Sequence, residues 1–450
     1  MMHSRKERTA FLKKRSKKLL FNWIRAVAPS GPATESDKSL FASFSSEKEE
    51  SFLSFLWFTA FACALLGAVP ARAAMSQGEY LTRAADCEAC HTMPGGTAFA
   101  GGRAFKLPFG TIYSPNITPD PVTGIGDYTD DEFVSALQRG VGHGGKYLYP
   151  VMPYNSYTLM SRADALAIKS YLFSLKPVSA RAPANKLGFP FNQRWTLWFW
   201  NQANNPAHRF QPDGARSAAW NRGAYLVQAL GHCGQCHTPR NWMQGLASGR
   251  AYSGAKQAGW VAYNITSDKV FGIGGWTDDA LKQYLSTGHA PGHGPASGPM
   301  AEAVSDSLRY MTPEDIAAIV TYLRDIPAQT GGPQVVASPP PAVANRNPLG
   351  EHVFAAACEG CHLPNGQGRQ STWAALAGDR SAGDPNGTNM LQVLAHGSEL
   401  TAPDRHVFMH AFTGAFTDAE LAAVADYVTR DVAGRQSSVT AADIARARAD

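Results

Sequence analysis

Three stretches of the chain repeat one another in their alternation of apolar and polar residues. Residues 79–85, 221–227 and 351–356 each read as a helical run, and each leads into a cysteine-containing motif. Each is answered further on by a second amphipathic helix: about 162–175 before Pro177, about 313–324 behind the cap Thr312, and about 418–428 behind the cap Thr417. Between the first pair, Thr129-Asp130-Asp131-Glu132 has the form of a capping box and predicts a helix to about Arg139; Thr277-Asp278-Asp279 repeats it. The remainder is loop, in keeping with 42 Gly and 29 Pro.

The ends follow other patterns. Residues 1–50 are basic, then rich in Ser and Glu, with no apolar period, and read as a disordered or over-long start. An apolar run at 52–69 ends in Pro70-Ala71-Arg72-Ala73, a signal-peptide cleavage pattern that makes 51–73 the signal peptide and Ala74 the first mature residue. An uncleaved membrane anchor is the alternative. Cys63 fits a lipoprotein cysteine poorly, because Phe61 departs from that pattern. Residues 331–347, with Ser338-Pro339-Pro340-Pro341, predict an extended linker. Residues 433–450 are expected to be a mobile tail.

The three runs lead to Cys87-Glu88-Ala89-Cys90-His91, Cys233-Gly234-Gln235-Cys236-His237 and Cys358-Glu359-Gly360-Cys361-His362. Cys-x-x-Cys-His is the attachment pattern of c-type haem. Two thiols add across the vinyl groups, and the histidine that follows becomes the proximal iron ligand. A thioredoxin-like pair would need a βαβ context, which is missing. Zinc held by Cys-x-x-Cys units is disfavoured by three motifs on separate helices. Disulfides are disfavoured by number: six of the seven cysteines lie in the motifs.

Helix with motif, long loop carrying a methionine, then closing helix is the plan of a class I cytochrome c domain. The expected fold is mainly α, with three such domains in tandem at 76–178, 216–330 and 348–432. The first two share further echoes: Asn116-Ile117-Thr118 with Asn264-Ile265-Thr266, and Gly124-Ile125-Gly126 with Gly272-Ile273-Gly274. The two Asn-x-Thr sequons read as a repeated structural turn, not as glycosylation sites. The third domain is a more distant copy. Residues 179–215, including 187–200, are too aromatic for a solvated linker, and are expected either to pack between domains one and two or to present a docking surface.

A class I domain needs a sixth ligand, and a methionine thioether raises the potential of the iron it binds. The candidates are Met152, Met300 and Met409, with Met160 and Met390 as runners-up and His143, His289, His293 and His410 as rivals better read as loop or surface histidines. Six-coordinate irons leave no open site, which points to electron transfer and away from haem-based catalysis. Arg103, Arg240 and Arg250 are candidates for pairing with haem propionates. The net charge of +5 is concentrated in the first 25 residues, so a nucleic-acid partner has little support.

Taken together, Ala84–Thr92, Pro108–Asp120, Leu148–Tyr154, Gly231–Asn241 and Thr287–Gly292 resemble the three-haem cytochrome c subunits of membrane-bound bacterial dehydrogenases. The resemblance runs from about Gly78 to Arg430. It implies three covalently bound haem c groups on Cys87, Cys90, Cys233, Cys236, Cys358 and Cys361, with iron ligands His91, Met152, His237, Met300, His362 and Met409. It also implies a subunit on the periplasmic side of the cytoplasmic membrane that takes electrons from a large catalytic subunit, bearing pyrroloquinoline quinone or flavin, and passes them to ubiquinone. A quinoprotein alcohol dehydrogenase is the preferred partner, and a flavin gluconate, sorbitol or fructose dehydrogenase the alternative. The chain itself is not expected to be catalytic. A self-contained multihaem oxidoreductase and a free soluble carrier are the remaining readings. His410 stands where a proline commonly follows the axial methionine. Rapid tunnelling requires the domains to pack as a compact chain.

Overall fold

The computed structural model describes residues 75–330 and 347–449. The expected extension, the apolar run with Cys63 and nearly all of the Pro-rich linker lie outside the described residues. The described chain is mainly helical, with four small antiparallel sheets. The helices used below are α1 (Gln77–Ala84), α2 (Asp130–Arg139), α3 (Arg162–Ser174), α4 (Thr196–Asn204), α5 (Ala218–Tyr225), α6 (Asp278–Thr287), α7 (Gly298–Asp306), α8 (Pro313–Asp325), α9 (Pro348–Ala357), α10 (Thr388–His396), α11 (Asp418–Tyr427) and α12 (Ala441–Ala449).

Local chemistry sets these boundaries. Ser76, Ser161, Ser217, Thr312 and Asn347 each accept from a backbone N–H in the first turn of the helix they open. Thr129 and Thr417 form full capping boxes with Glu132 and Glu420, as the sequence predicts. At the other end of α2, Gly140 takes the left-handed conformation that closes a helix.

Three crossings organise the packing. α1 packs on α3, α5 on α8 and α9 on α11. In each, a glycine of the first helix lets the backbones touch. A Cβ at Gly78 would stand 2.2 Å from the Ala167 carbonyl oxygen, at Gly223 1.9 Å from that of Ala318, and at Gly350 2.1 Å from that of Ala423. One turn beyond each alanine is a tyrosine, Tyr171, Tyr322 or Tyr427, whose Cβ closes the same contact at 3.0, 2.9 and 2.8 Å. The third crossing therefore repeats the geometry of the first two although its loop sequences have diverged.

The first two crossings share one core, in which Leu81, Phe133, Ile168 and Leu172 join Leu226, Leu230, Ile316 and Leu323. Polar contacts lock the same boundary. The Tyr80 hydroxyl donates to Asp315 at 2.6 Å, and Arg222 donates to both oxygens of that carboxylate at 2.8 and 2.6 Å. The third crossing has a core of its own around Phe354, Leu391, Leu421 and Ile444. It meets the second through a smaller apolar cluster of Ala296, Ala301, Val304 and Leu400. Asn389 adds a reciprocal pair of bonds with the Val261 backbone, 2.7 Å to its N–H and 3.0 Å to its carbonyl. The compact packing expected of these units is what the structure has.

Two expectations need correction. The closing residues are not a mobile tail: α12 packs on α10 and α11, with Ile444 and Ala447 buried. Among the rival histidines, His289 is no loop or surface residue. It sits in strand β1 (His289–Ala290), 2% exposed, stacked on Trp373 with its Nε2 3.0 Å from the Thr372 carbonyl oxygen.

The Asn-Ile-Thr repeats are buried turns. The Oδ1 of Asn116 accepts from the N–H and hydroxyl of Thr118, and its amide donates to the Val178 carbonyl. Asn264 makes the same bonds to Thr266 and donates to Gln329. At 1% exposure Asn116 has no room for a glycan.

Candidate functional site

Each Cys-x-x-Cys-His motif forms a short helical turn after its leading helix: Cys87–His91, Gly234–His237 and Glu359–His362. α5 reaches its motif through a π-helical turn at Leu226–Leu230, closed by Gly231 donating to Leu226 at 2.7 Å. That wider turn absorbs an additional residue: Gly223 precedes its motif by 233 − 223 = 10 positions, against 87 − 78 = 9 for Gly78.

The histidines share one arrangement. The Nδ1 of His91 lies 2.8 Å from the Pro115 carbonyl oxygen, that of His237 2.6 Å from Tyr263 and that of His362 2.7 Å from Ala374. A carbonyl can only accept, so Nδ1 carries the proton and Nε2 keeps the lone pair that ligates a metal. Desolvation pushes all three imidazoles below the ordinary histidine value, which favours the neutral, ligating form.

The thiols are free, with no disulfide among them. The surrounding chain pushes Cys87, Cys90 and Cys233 up to about 12 and Cys358 to about 11 by desolvation. A redox-exchange pair needs a lowered thiol pKa, so these cysteines do not suit that chemistry.

Three arginines close the motifs. Arg103 donates to the Ala89 carbonyl at 2.6 Å, Arg240 to that of Gln235 at 2.9 Å and Arg369 to that of Gly360 at 2.6 Å. In every case the acceptor is the residue just before the second cysteine. A cation on the last carbonyls of a helical turn satisfies an acceptor the helix cannot, and meets the negative end of its dipole. Sequence reasoning offered Arg103, Arg240 and Arg250 as candidates for haem propionates and did not single out Arg369. Arg103 also forms a fork on Glu302 at 3.0 and 2.8 Å, and Arg240 donates to the Gln235 side chain at 3.1 Å. Arg250 is exposed at the end of the turn Ser248–Arg250.

Met152 packs partly buried on the shared core that also takes in Cys87 and Cys233. Met409 ends strand β2 (His406–Met409) and packs on the cluster that takes in Cys358. Met300, on α7, lies against the cluster that joins the second and third crossings. Of the runners-up, Met160 is fully buried in the shared core and Met390 packs on the same cluster as Met409. The other rival histidines are engaged elsewhere: His143 with Glu132 at 2.9 Å, His293 stacked on Trp276 and His410 edge-on to Phe408.

The first two motifs face each other across the shared boundary. Gln235 donates from inside the second motif to Asn155 at 2.9 Å and Ser156 at 2.8 Å, just beyond Met152. His232, immediately before Cys233, packs edge-on to Tyr157, whose hydroxyl donates to the Ala85 carbonyl at 2.6 Å, just before the first motif.

Residues 345–428 match the family model described as cytochrome C oxidase, cbb3-type, subunit III. The chain is 38% identical to the fructose dehydrogenase cytochrome subunit of Gluconobacter japonicus, over 84% of this chain and 83% of that one. The chain belongs to the family of dehydrogenase cytochrome c subunits. It is also 36% identical to the gluconate 2-dehydrogenase cytochrome c subunit of Pantoea cypripedii, over 84% of this chain and 90% of that one. With the alcohol dehydrogenase (quinone) cytochrome c subunit of Gluconacetobacter polyoxogenes it shares 34% identity, over 84% of each. As a member of this family the protein is an electron-transfer subunit that carries covalently bound haem c. The donor set fits that group: paired thiols, and an imidazole whose free nitrogen is fixed by a backbone acceptor.

Proposed function

We propose that the chain folds as three cytochrome c domains and binds three haem c groups through Cys87 and Cys90, Cys233 and Cys236, and Cys358 and Cys361. His91, His237 and His362 would be the proximal ligands, and Met152, Met300 and Met409 the distal ones. The observation that carries this is the threefold recurrence of one arrangement: a motif histidine held by a carbonyl, a motif carbonyl held by an arginine, and a Gly–Ala helix crossing above.

When bound, haem c supplies a one-electron iron centre that cycles between its two oxidation states. The chain's own residues keep that centre fixed. Pro115, Tyr263 and Ala374 orient the imidazoles, and the apolar clusters around Met152 and Met409 exclude water. The continuous packing from the first crossing to the third holds the centres at fixed separation, as tunnelling requires.

On this reading electrons enter from a catalytic dehydrogenase subunit and leave to ubiquinone, on the periplasmic face of the cytoplasmic membrane. The sequence favours a quinoprotein alcohol dehydrogenase as partner. The fructose and gluconate relatives support a sugar or sugar-acid dehydrogenase equally well. Among the described residues no helix is long and apolar enough to cross a membrane.

The test is mild-detergent purification from the native membrane. Three covalent haems per chain, no carbon monoxide binding in the reduced protein, and a co-purifying dehydrogenase subunit are expected. Two haems, or a chain that oxidises substrate alone, would overturn the proposal. The cofactor of the co-purifying subunit, pyrroloquinoline quinone or flavin, decides the partner.

A further inference from the structure

The connector between the first two crossings has two faces of different character. Along α4 the inward positions recur at helical spacing: Leu197 and Asn201 are buried, and Trp200 donates from its indole to the Met243 carbonyl at 2.9 Å. Asn201 accepts from the Tyr154 hydroxyl at 2.7 Å and donates to the Arg139 carbonyl at 3.1 Å. This face seats the connector on both neighbours. The opposite face should then be polar. It carries Trp195, Trp198 and Phe199 instead, all exposed, Trp195 to 63%. Phe189 just upstream is 82% exposed, and Phe191, also exposed, stacks on Phe109. The adjoining loop, held by the Trp200 bond to Met243, adds Trp242 at 90% exposure.

The connector and the sequence on either side of it are rich in cations and short of carboxylates. Between residues 165 and 267 the sequence has eleven Lys and Arg but a single carboxylate, Asp213. Lys176, Arg181 and Lys186 are exposed along the connector. Lys146 stands close enough to Arg194 that the guanidinium's charge pulls the ammonium below its ordinary value. Arg194 spends its own contacts on the Tyr147 carbonyl at 2.6 Å and the Tyr149 ring, both uncharged.

We infer that the outward face of residues 186–200, with Trp242, is a docking surface for an anionic lipid bilayer, its aromatic rings seated at headgroup depth and its cations among the phosphates. Indole and phenyl rings partition to the membrane interface, and cations add an attraction to anionic lipid that salt screens. A catalytic protein subunit could bury the same rings, but it would have to supply an acidic surface to match; the bilayer supplies both chemistries at once. The inference rests on the proposed membrane-side electron transfer and names the surface that makes it possible.

The test uses the haem-loaded exported chain with vesicles of phosphatidylethanolamine and phosphatidylglycerol, and with phosphatidylcholine alone. Co-sedimentation should be strong only with the anionic vesicles and should fall with salt. The triple variant W195S/W198S/F199S should lose at least tenfold in partition, while Phe408→Ser, an exposed ring on β2, should change nothing. Hydroxyl-radical footprinting on the vesicles should protect 186–200 and Trp242 but not Phe408, and this readout holds even if another segment also anchors the chain. Equal oxidation of the connector with and without vesicles would overturn the inference. So would protection by the purified catalytic subunit in the absence of lipid. Haem content and electron exchange with ferricyanide, measured on the same samples, report separately on the proposed electron-transfer role.

Discussion

Arg369 donates its Nε–H to the Gly360 carbonyl oxygen at 2.6 Å, the bond that Arg103 and Arg240 make to the corresponding carbonyls of the other two motifs. The bond is charge-assisted and ties a loop to the turn that carries the cysteines. Arg369→Ala should destabilise the third unit by about 1–2 kcal/mol. Thermal melting of the haem-loaded protein, followed in visible absorption, should show that loss, with Arg369→Lys intermediate because an ammonium lacks the planar fork.

The helix crossings are tighter than any side chain allows. Gly223→Ala would drive a Cβ into the Ala318 carbonyl and force α5 off α8. Overpacking of this kind costs ~1–3 kcal/mol or more. Gly249→Ala, where a Cβ would meet open space, should be neutral. Denaturant midpoints for the two variants should differ clearly, and equal midpoints would refute the close crossing.

Replacing Met300 with Ala should open one of the three proposed irons. The variant should bind carbon monoxide at a single haem, and the potential of that haem should fall as the thioether is lost. Met160→Ala should leave ligation intact and lower stability by ~2–5 kcal/mol through the cavity it leaves. Redox titration and carbon monoxide difference spectra separate the two outcomes.

Asp379 places its carboxyl against Gly294 at the join between the second and third units, and desolvation pushes its pKa up to about 7. The unfolded carboxyl titrates near 3.8. The folded protein therefore holds this proton between pH 4 and 7 while the unfolded chain has released it, so stability declines as pH rises through that window. Melting temperatures between pH 4 and 8 should show the decline, and Asp379→Asn should flatten it.

Much of this was legible because it is written locally. The caps Thr129, Thr312 and Thr417 announce their helices, and the cysteine motifs announce themselves. Arg369 was hidden because the three arginines follow their histidines at different distances, 103 − 91 = 12, 240 − 237 = 3 and 369 − 362 = 7, and only folding brings them to equivalent carbonyls. α12 was hidden because it is built mostly of alanine and arginine, with Ile444 its one large apolar side chain, and a partner surface decides whether such a helix is ordered. The connector was legible in composition, but which rings would turn inward was not, since Leu197, Trp200 and Asn201 are selected by neighbours remote in sequence.

The core shared by the first two crossings has a consequence for how the molecule comes apart. Leu81 and Ile168 cannot leave Leu226 and Ile316 without exposing both sets, so residues 75–330 must melt as one cooperative block. The third unit has its own core and meets its neighbour through a small apolar cluster, the Asn389 bonds and the His289–Trp373 stack, so it can open first. Heating should therefore give two calorimetric transitions, not three. A protein that looks triplicate in sequence is, in its energetics, a fused pair with a detachable third.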